Sequence, residues 1–471
     1  MLAGLWAFAC VALASLRGVA PPRKLDVAFW GVLKSAVERA DGKVFVQAGD
    51  LTQMWLRDST ASVHHWFSEP RALEDAAVQR LLRGLARQLE EYGRRDPMCA
   101  IWEPYDNGRM CRNAAPYTDS GFEAESPVYA LRFFRHMRAT LGYVADTRAV
   151  EAFVSALTRN VHANGMLWSK TRPSDDAVPH GYYNVPINLF ASAELKKLTW
   201  SSARAADSTG RLHTIIDAAV RRRGVRNGRY CYEVSSTDCR MMDDANVPSL
   251  LSIPYLADGD GALFDAQVYA ATRRWVLSDS NPYYYCGPRL CGVGSPHTAP
   301  GYAWPMAVAV AGLTGTAEEM RAALAQLERV PSEAMPESVH VHTGAFTRNW
   351  FDWPNALYCE LARRESSPSP RARSTSYSLW HSLPLPPRPR TAAEDGWVTC
   401  AFDGEWCSFP GVADVRYGVA FAGFAVSRRS GGVHCGAALG DPPAHASDPL
   451  LQWRPYHCAV QVQRHGHFGQ L

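Results

Sequence analysis

The sequence predicts a mainly α-helical toroid or solenoid, followed by a linker and a small β unit. Three observations predict it. Apolar residues recur at helical spacing from about residue 25 to 365, strand-like alternation is scarce there, and the composition changes at about 364. The 471 residues suffice for one large domain and one small one. Hydrophobic residues at 47 % against charged residues at 20 % describe a globular chain, and a formal charge of +3 gives no reason to expect nucleic acid.

In chain order, Leu2 to Leu16 is apolar and Ala12-Leu13-Ala14 resembles a small-residue cleavage site, so residues 1–20 read as a signal peptide, though no basic residue precedes the run. The run is too short to span a bilayer comfortably, and nothing later looks transmembrane. Residues 25–363 form the helical domain. Stretches 71–95, 126–143, 146–164, 185–206, 210–225, 263–277, 301–315 and 316–330 each carry a helical pattern, joined by aromatic-rich and Gly/Pro-rich loops. No repeat of fixed period is visible, which disfavours an array of short helical repeats. Residues 364–395, with "SSPSPRARSTSYS" and "PLPPRPR", read as a linker. Residues 396–471 read as a small β module stapled by disulfides among Cys400, Cys407, Cys435 and Cys458. The twelve cysteines include the close pairs Cys99/Cys111, Cys231/Cys239 and Cys286/Cys291, and no CxxC occurs. An even count at short separations favours disulfides, an oxidising compartment and a secreted or luminal protein.

The loops place carboxylates beside aromatics. "MWLRDS" holds Trp55, Arg57 and Asp58; "FEAES" holds Glu123 and Glu125; "TRPSDDA" holds Arg172, Asp175 and Asp176. "MMDDANVP" holds Asp243, Asp244 and Asn246, and "PESVHVHTGAFTRNWFDWPN" holds Glu337, Arg348, Trp350 and Trp353. Glycoside cleavage uses such parts: one carboxyl kept protonated for the leaving oxygen, one carboxylate to activate water, and aromatic walls that exclude solvent. Singly, each has an ordinary reading: an Asp-Asp before a helix as cap and first-turn acid, Arg57-Asp58 as a structural ion pair, Glu337 as a turn residue.

Together they resemble a family. "GDLTQMWLRDSTASV" is similar to the "GDIPAMWLRDS" signature of glycoside hydrolase family 125, the exo-acting α-1,6-mannosidases, and "RPSDDA", "MDDANVPSLLSIPYL", "GSPHTAPGYAWPM" and "PESVHVHTGAFTRNWFDWPNALYCEL" match its other motifs in order over residues 25–361. The resemblance implies an (α/α)6 barrel. It also implies hydrolysis, without metal or cofactor, of terminal non-reducing α-1,6-linked mannose with inversion. The partner would be a mannose-containing oligosaccharide or glycan, with neither nucleic acid nor membrane. Carried over by residue, the general acid falls in Asp175-Asp176, Asp175 being the first choice, and the general base on Glu337. An inverting pair stands about 6.5–9.5 Å apart. Arg57, Asp58, Trp55, Glu123, Glu125, Arg172, Asp244, Asn246, His297 and Arg348 become candidate sugar contacts, with Asp243 behind them.

The chain departs from the family pattern in several places. "FEAES" stands for "YEIDS", "DLTQM" for "DIPAM", "GSPH" for "GGPH" and "FDWPN" for "FAWAN". The segment before the first motif is also shorter than usual, which implies a short or missing barrel helix. The alternative function is a non-catalytic mannose-binding protein on the same fold; retention of Asp175, Asp176 and Glu337 argues against it. A calcium- or zinc-dependent mannosidase of another helical-barrel family is a third reading, and no metal-ligand spacing supports it. The C-terminal stretch "CAFDGEWCSFPGVADVRYG" is similar to a small Cys-containing β module of secreted proteins, in which Trp406, Tyr417 and Trp453 form either a stacking face or the core.

Overall fold

Two kinds of helix occur in the larger part of the molecule, and composition separates them. In α1 (Lys24–Trp30), α2 (Leu56–Ser62), α4 (Glu125–Leu141), α6 (Val185–Lys197), α10 (Pro305–Leu313) and α12 (Asp352–Glu365), burial extends well round the helix. Every residue of α2 is buried, as is Val185 through Leu195 in α6. By contrast α3 (Ala76–Arg95), α5 (Thr147–Arg159), α9 (Ala266–Val276) and α11 (Ala317–Glu328) bury one stripe. In α3 the stripe is Val78, Leu81, Leu82, Leu85, Leu89 and Tyr92, opposite an arginine- and glutamate-rich face. A long α7 (Ala203–Arg223) and a one-turn α8 (Ile253–Leu256) complete the set. The computed structural model describes residues 24–102, 123–169, 183–198 and 203–365, together with short strands within 397–461. The chain divides into two units, Met1–Pro387 and Arg388–Leu471.

Local chemistry sets the helix starts. Asp75 accepts from the amides of Ala77 and Val78, and Thr316 and Glu319 form a reciprocal capping box on α11. Pro186 and Pro305 lie in first turns, where no intrahelical donor is lost, and Pro354 is accommodated in the same way in α12. The pattern over 185–206 does not form one helix. The structure ends α6 at Lys197, with Leu198 extended, and begins α7 at Ala203.

α12 packs against α1, α2 and α10; α4 packs against α2 and α6; α3 packs on α5, α7 on α6 and α11 on α10. Short antiparallel strands precede several of the buried helices: Met54–Trp55 pairs with Ile101–Trp102, Tyr183–Asn184 with Glu233–Val234, and Tyr302–Ala303 with Ser338–His340, itself paired with Phe346–Thr347. These pairings hold the loops that carry the sequence motifs.

Further along the same helices lies a partly buried ionic network. Arg132 and Arg135 of α4 meet Glu194 of α6, and both reach Asp258, which Lys197 also contacts at 2.8 Å. His64 Nδ1 lies 3.1 Å from Glu360, which accepts from the Tyr255 hydroxyl at 3.0 Å. Burial opposes ionisation of Asp258, but Arg132, Arg135 and Lys197 outweigh it and hold the carboxyl well below its usual range.

Cys231–Cys239 and Cys286–Cys291 are disulfides, Cys99 is disulfide-bonded to a residue outside the described set, and Cys359 is buried and free. No helix among the described residues is long and apolar enough to cross a membrane. In the second unit the strands Ala401–Phe402, Trp406–Ser408, Gly432–Ala437 and Phe424–Arg429 form one antiparallel sheet in that order, and Trp397–Thr399 pairs with Ala459–Gln461. The stapling disulfides expected there, and the aromatic face of Trp406, Tyr417 and Trp453, fall outside what is described.

Candidate active site

Arg57 and Asp58 lie in the first turn of α2, which follows the extended Trp55, and both are buried. The Arg57 Nε donates to Asp58 Oδ2 at 3.2 Å, and Nη1 donates to Glu125 Oε1 at 3.2 Å and lies 3.7 Å from Glu123 Oε2. One guanidinium thus stands among three carboxylates. Its face is 5.6 Å from the Trp55 ring and 5.7 Å from the Trp353 ring. A guanidinium set among carboxylates suits a polyol, whose hydroxyls donate to carboxylate oxygen and accept from guanidinium. Glu125, longer than an Asp, reaches Arg57 from the first turn of α4, where a negative charge also favours the helix.

Glu337 lies at the start of the hairpin formed by Ser338–His340 and Phe346–Thr347. Its amide donates to the Arg348 carbonyl at 3.1 Å, closing the pair. Each carboxylate oxygen receives one donor: Arg348 Nη1 at 3.0 Å on Oε1, and Thr347 Oγ1 at 3.1 Å on Oε2. Arg348 also donates to Asp50 Oδ1 at 2.8 Å and to the Ala48 carbonyl at 2.8 Å, and lies 4.4 Å over the Phe351 ring. Its φ of +33° is a conformation non-glycine residues seldom adopt, and it turns the guanidinium back toward Glu337. The geometry therefore makes Arg348 a clamp on the Glu337 carboxylate.

A third cluster gathers around the cis Val247–Pro248 bond. Asp243 accepts from the amides of Leu250 and Leu251 at 2.7 and 3.1 Å, which ties it to the loop backbone. Asp244 accepts from the Asn246 amide at 2.8 Å and from the Ser295 hydroxyl at 2.9 Å. His297 Nδ1 lies 2.9 Å from the same Ser295 oxygen, and its ring meets Trp304 edge-on at 5.2 Å. The Ala245 amide donates to the Gly294 carbonyl at 3.0 Å, joining the two loops.

An aromatic floor connects the three clusters. Trp353, beside Arg57, lies 6.5 Å from Phe351; Phe351, under Arg348, lies 6.5 Å from Trp304; and Trp304 supports His297. Tyr129 meets Trp353 at 5.8 Å and donates to the Val247 carbonyl at 3.1 Å. The clusters that hold Trp55, Arg57, Asp58, Glu123, Glu125, Asp244, His297, Glu337 and Arg348 are thus linked by one chain of buried aromatic contacts, with Asn246 tied to Asp244 through its backbone. Arg172, Asp175 and Asp176 lie outside the described residues. The described chain on either side of them converges: Trp168 stacks on His162 at 5.0 Å, and the Tyr183 hydroxyl lies 2.8 Å from His162 Nδ1. No sequence pattern points to Ser295, Thr347 and Asp50 as site residues. Only the change from "GGPH" to "GSPH" marks the first of them, and nothing marks the hydroxyl of Thr347.

A model of the metal-independent alpha-mannosidases (GH125) matches residues 23–133 and 137–363. The chain belongs to this GH125 family. Its similarity extends to the meiotically up-regulated gene 157 protein of the fission yeast Schizosaccharomyces pombe, 27 % identical over 69 % of this chain and 77 % of that protein. Among solved structures, a Streptococcus pneumoniae member of the metal-independent alpha mannosidases, in a non-productive complex with alpha-1,6-mannobiose, superposes with a TM-score of 0.64 at 26 % identity, covering 73 % of this chain and 93 % of that one. A wild-type glycosidase at 16 % identity, TM-score 0.52, over 73 % of this chain and 96 % of its own, shares the fold. Within this GH125 chain no group of three His, Cys, Asp or Glu among the described residues is arranged to hold a metal ion.

Proposed function

We propose that this GH125 chain is an exo-acting mannosidase that removes terminal, non-reducing α-1,6-linked mannose with inversion, using Asp175 or Asp176 as general acid and Glu337 as general base. The observation that carries the reading is the Glu337 carboxylate. It is oriented by Arg348 and Thr347 on the same aromatic floor as the Arg57, Asp58 and Glu125 cluster. A carboxylate that receives one hydrogen bond on each oxygen keeps lone pairs with which to accept a proton from water. The S. pneumoniae relative solved with alpha-1,6-mannobiose supports the choice of linkage.

The same reading places these helices in an (α/α)6 barrel. α2, α4, α6, α8, α10 and α12 form the inner ring, and the contacts of α12 with α2 and α10, of α4 with α2 and α6, and of α6 with α8 support it. Asp58, Glu123, Glu125, Asp244, Asn246, His297 and Arg57 bind the sugar hydroxyls, Trp55 and Trp353 back them, and Arg172 contacts the ring from the acid-bearing segment. On this reading the protein is secreted or resides in a secretory lumen; the disulfides Cys231–Cys239 and Cys286–Cys291, of a kind that persists in oxidising compartments, support it. The substrate is a mannose-containing glycan.

The test is incubation of the full chain with α-1,6-mannobiose, followed by NMR of the first anomer released. Release of β-mannose is the expected result. Retained α-mannose overturns inversion. Binding of the disaccharide without turnover makes the protein a mannose-binding module on the same fold.

A further inference from the structure

Asn188 and Asn355 make the same set of bonds in two places. Each is the fourth residue of its helix, α6 and α12, and both are buried. The Asn355 Oδ1 accepts from the Met335 amide at 2.8 Å, and Nδ2 donates to the Met335 carbonyl at 3.3 Å and to the Phe351 carbonyl at 2.7 Å. The Asn188 Oδ1 accepts from the Leu167 amide at 2.7 Å, and Nδ2 donates to the Leu167 carbonyl at 3.0 Å and to the Asn184 carbonyl at 2.8 Å. An amide side chain has two protons to give, and in each case both are given. The partners also fix which way each amide faces, because a backbone N–H only donates and a carbonyl only accepts. Each asparagine therefore pairs with one distant residue as a neighbouring strand would, through that residue's N–H and C=O together. It ties that residue to the start of its own helix.

The residues held in this way adjoin the two proposed catalytic segments. Met335 precedes Glu337 with only Pro336 between them. Proline fixes its own φ and keeps the residue before it extended, so the orientation of Met335 passes to Glu337 with little slack. Phe351, at the other end of the Asn355 bracket, lies under the Arg348 guanidinium that clamps Glu337. One buried amide thus sets both the chain that carries the base and the platform beneath its clamp. Leu167 precedes, and Asn184 follows, the segment that bears Arg172, Asp175 and Asp176. We propose that Asn355 is a positioning residue for the general base and Asn188 the matching one for the acid-bearing segment, each acting through the backbone it brackets. The proposal rests on the assignment of Glu337 and of Asp175 or Asp176 made above.

The test uses the full chain and two substrates: α-1,6-mannobiose, whose leaving sugar needs a proton, and 2,4-dinitrophenyl α-mannoside, whose leaving group does not. Attack by water needs the base with either. Asn355→Ala is expected to lower kcat about 10- to 100-fold on both substrates, the effect of a displaced reacting group, with KM changed by less than about twofold. Asn188→Ala is expected to lower kcat by a similar factor on mannobiose and by much less on the aryl mannoside. A merely structural role would depress both substrates alike in both variants. That parallel loss overturns the inference, as does parental kcat in Asn355→Ala. Where an alanine variant does not fold, Asn355→Asp and Asn188→Asp, which keep the shape and the acceptor, are read by the same split. Hydrogen exchange in the parent adds a measurement that needs no variant: slow exchange of the Met335 and Leu167 amides upholds the brackets, and exchange as fast as in an exposed loop overturns them. A parent chain inactive on both substrates overturns the mannosidase reading. Activity lost in Glu337→Ala but kept in Asn355→Ala overturns this inference alone.

Discussion

Glu337 and Asp352 lie fifteen positions apart and are handled by the fold in opposite ways. Glu337 keeps a small exposure and is held by donors from Arg348 and Thr347. Glu337→Ala is expected to reduce kcat by about 10³-fold or more while mannose still binds, in line with removal of a general base; near-wild-type turnover in that variant would remove Glu337 from the role. Asp352 is fully enclosed at the start of α12, accepts from the Ser35 hydroxyl on one oxygen, and has no partner on the other. Burial pushes its pKa up to about 7, against the lowering influence of Ser35, Lys34 and Arg348. A carboxyl raised above its unfolded value binds a proton in the native state that the unfolded chain has released. Stability is therefore greatest below the unfolded pKa and declines as pH rises toward 7. The decline amounts to up to about 4 kcal/mol, at 1.36 kcal/mol per unit. Melting curves between pH 5 and 8 should show that decline, and Asp352→Asn should flatten it; an equally steep decline in the variant would locate the titrating group elsewhere.

At the scale of elements, the site depends on the loop 48–53 meeting the hairpin that ends at Arg348. Gly49 makes that meeting possible. It has φ +65°, and a Cβ there would lie 2.5 Å from the Trp350 carbonyl oxygen, a distance only backbone movement relieves. Gly49→Ala is expected to destabilise the chain by more than about 1 kcal/mol and to lower kcat, because Ala48 and Asp50 on either side hold Arg348. A variant with parental Tm and turnover would show that the loop is not needed at this contact. The elements also divide by how readily sequence shows them. The pattern over 71–95 foretells α3, 263–277 foretells α9 and 316–330 foretells α11, because each has one apolar stripe against a polar face. α1 and α2, two turns each, are too short to display a helical period, and α12 opens on the motif segment Asp352-Trp353-Pro354, which reads as a loop. Strands such as Met54–Trp55 and Phe346–Thr347 are too short to display a period. For the candidate site, the motifs name Glu337, Arg57 and Asp244. The partners Ser295, Thr347 and Asp50 depend on contacts between loops far apart in the chain, which no local pattern records.

Across the whole molecule, the Arg132, Arg135, Lys197, Glu194, Asp258 and Glu360 network binds three of the buried helices together. Glu194 is inaccessible and pairs bidentately with Arg135 at 2.7 and 2.8 Å. Glu194→Gln leaves the buried Arg132 and the half-buried Arg135 short of an anion and is expected to cost about 2–4 kcal/mol of stability, read as a lowered denaturant midpoint; a midpoint within error of the parent would mean that Asp258 alone satisfies both cations. Arg348, for its part, spans nearly the whole of the larger unit, gripping Asp50 and the Ala48 carbonyl about three hundred positions upstream while it steadies Glu337. A polypeptide still emerging from the ribosome cannot assemble that grip until its late segments have been made, and a proteolytic fragment that has lost either margin cannot assemble it at all. Turnover by this protein would then report on the integrity of both margins at once, and two separately produced halves would recover it only by docking into one particle.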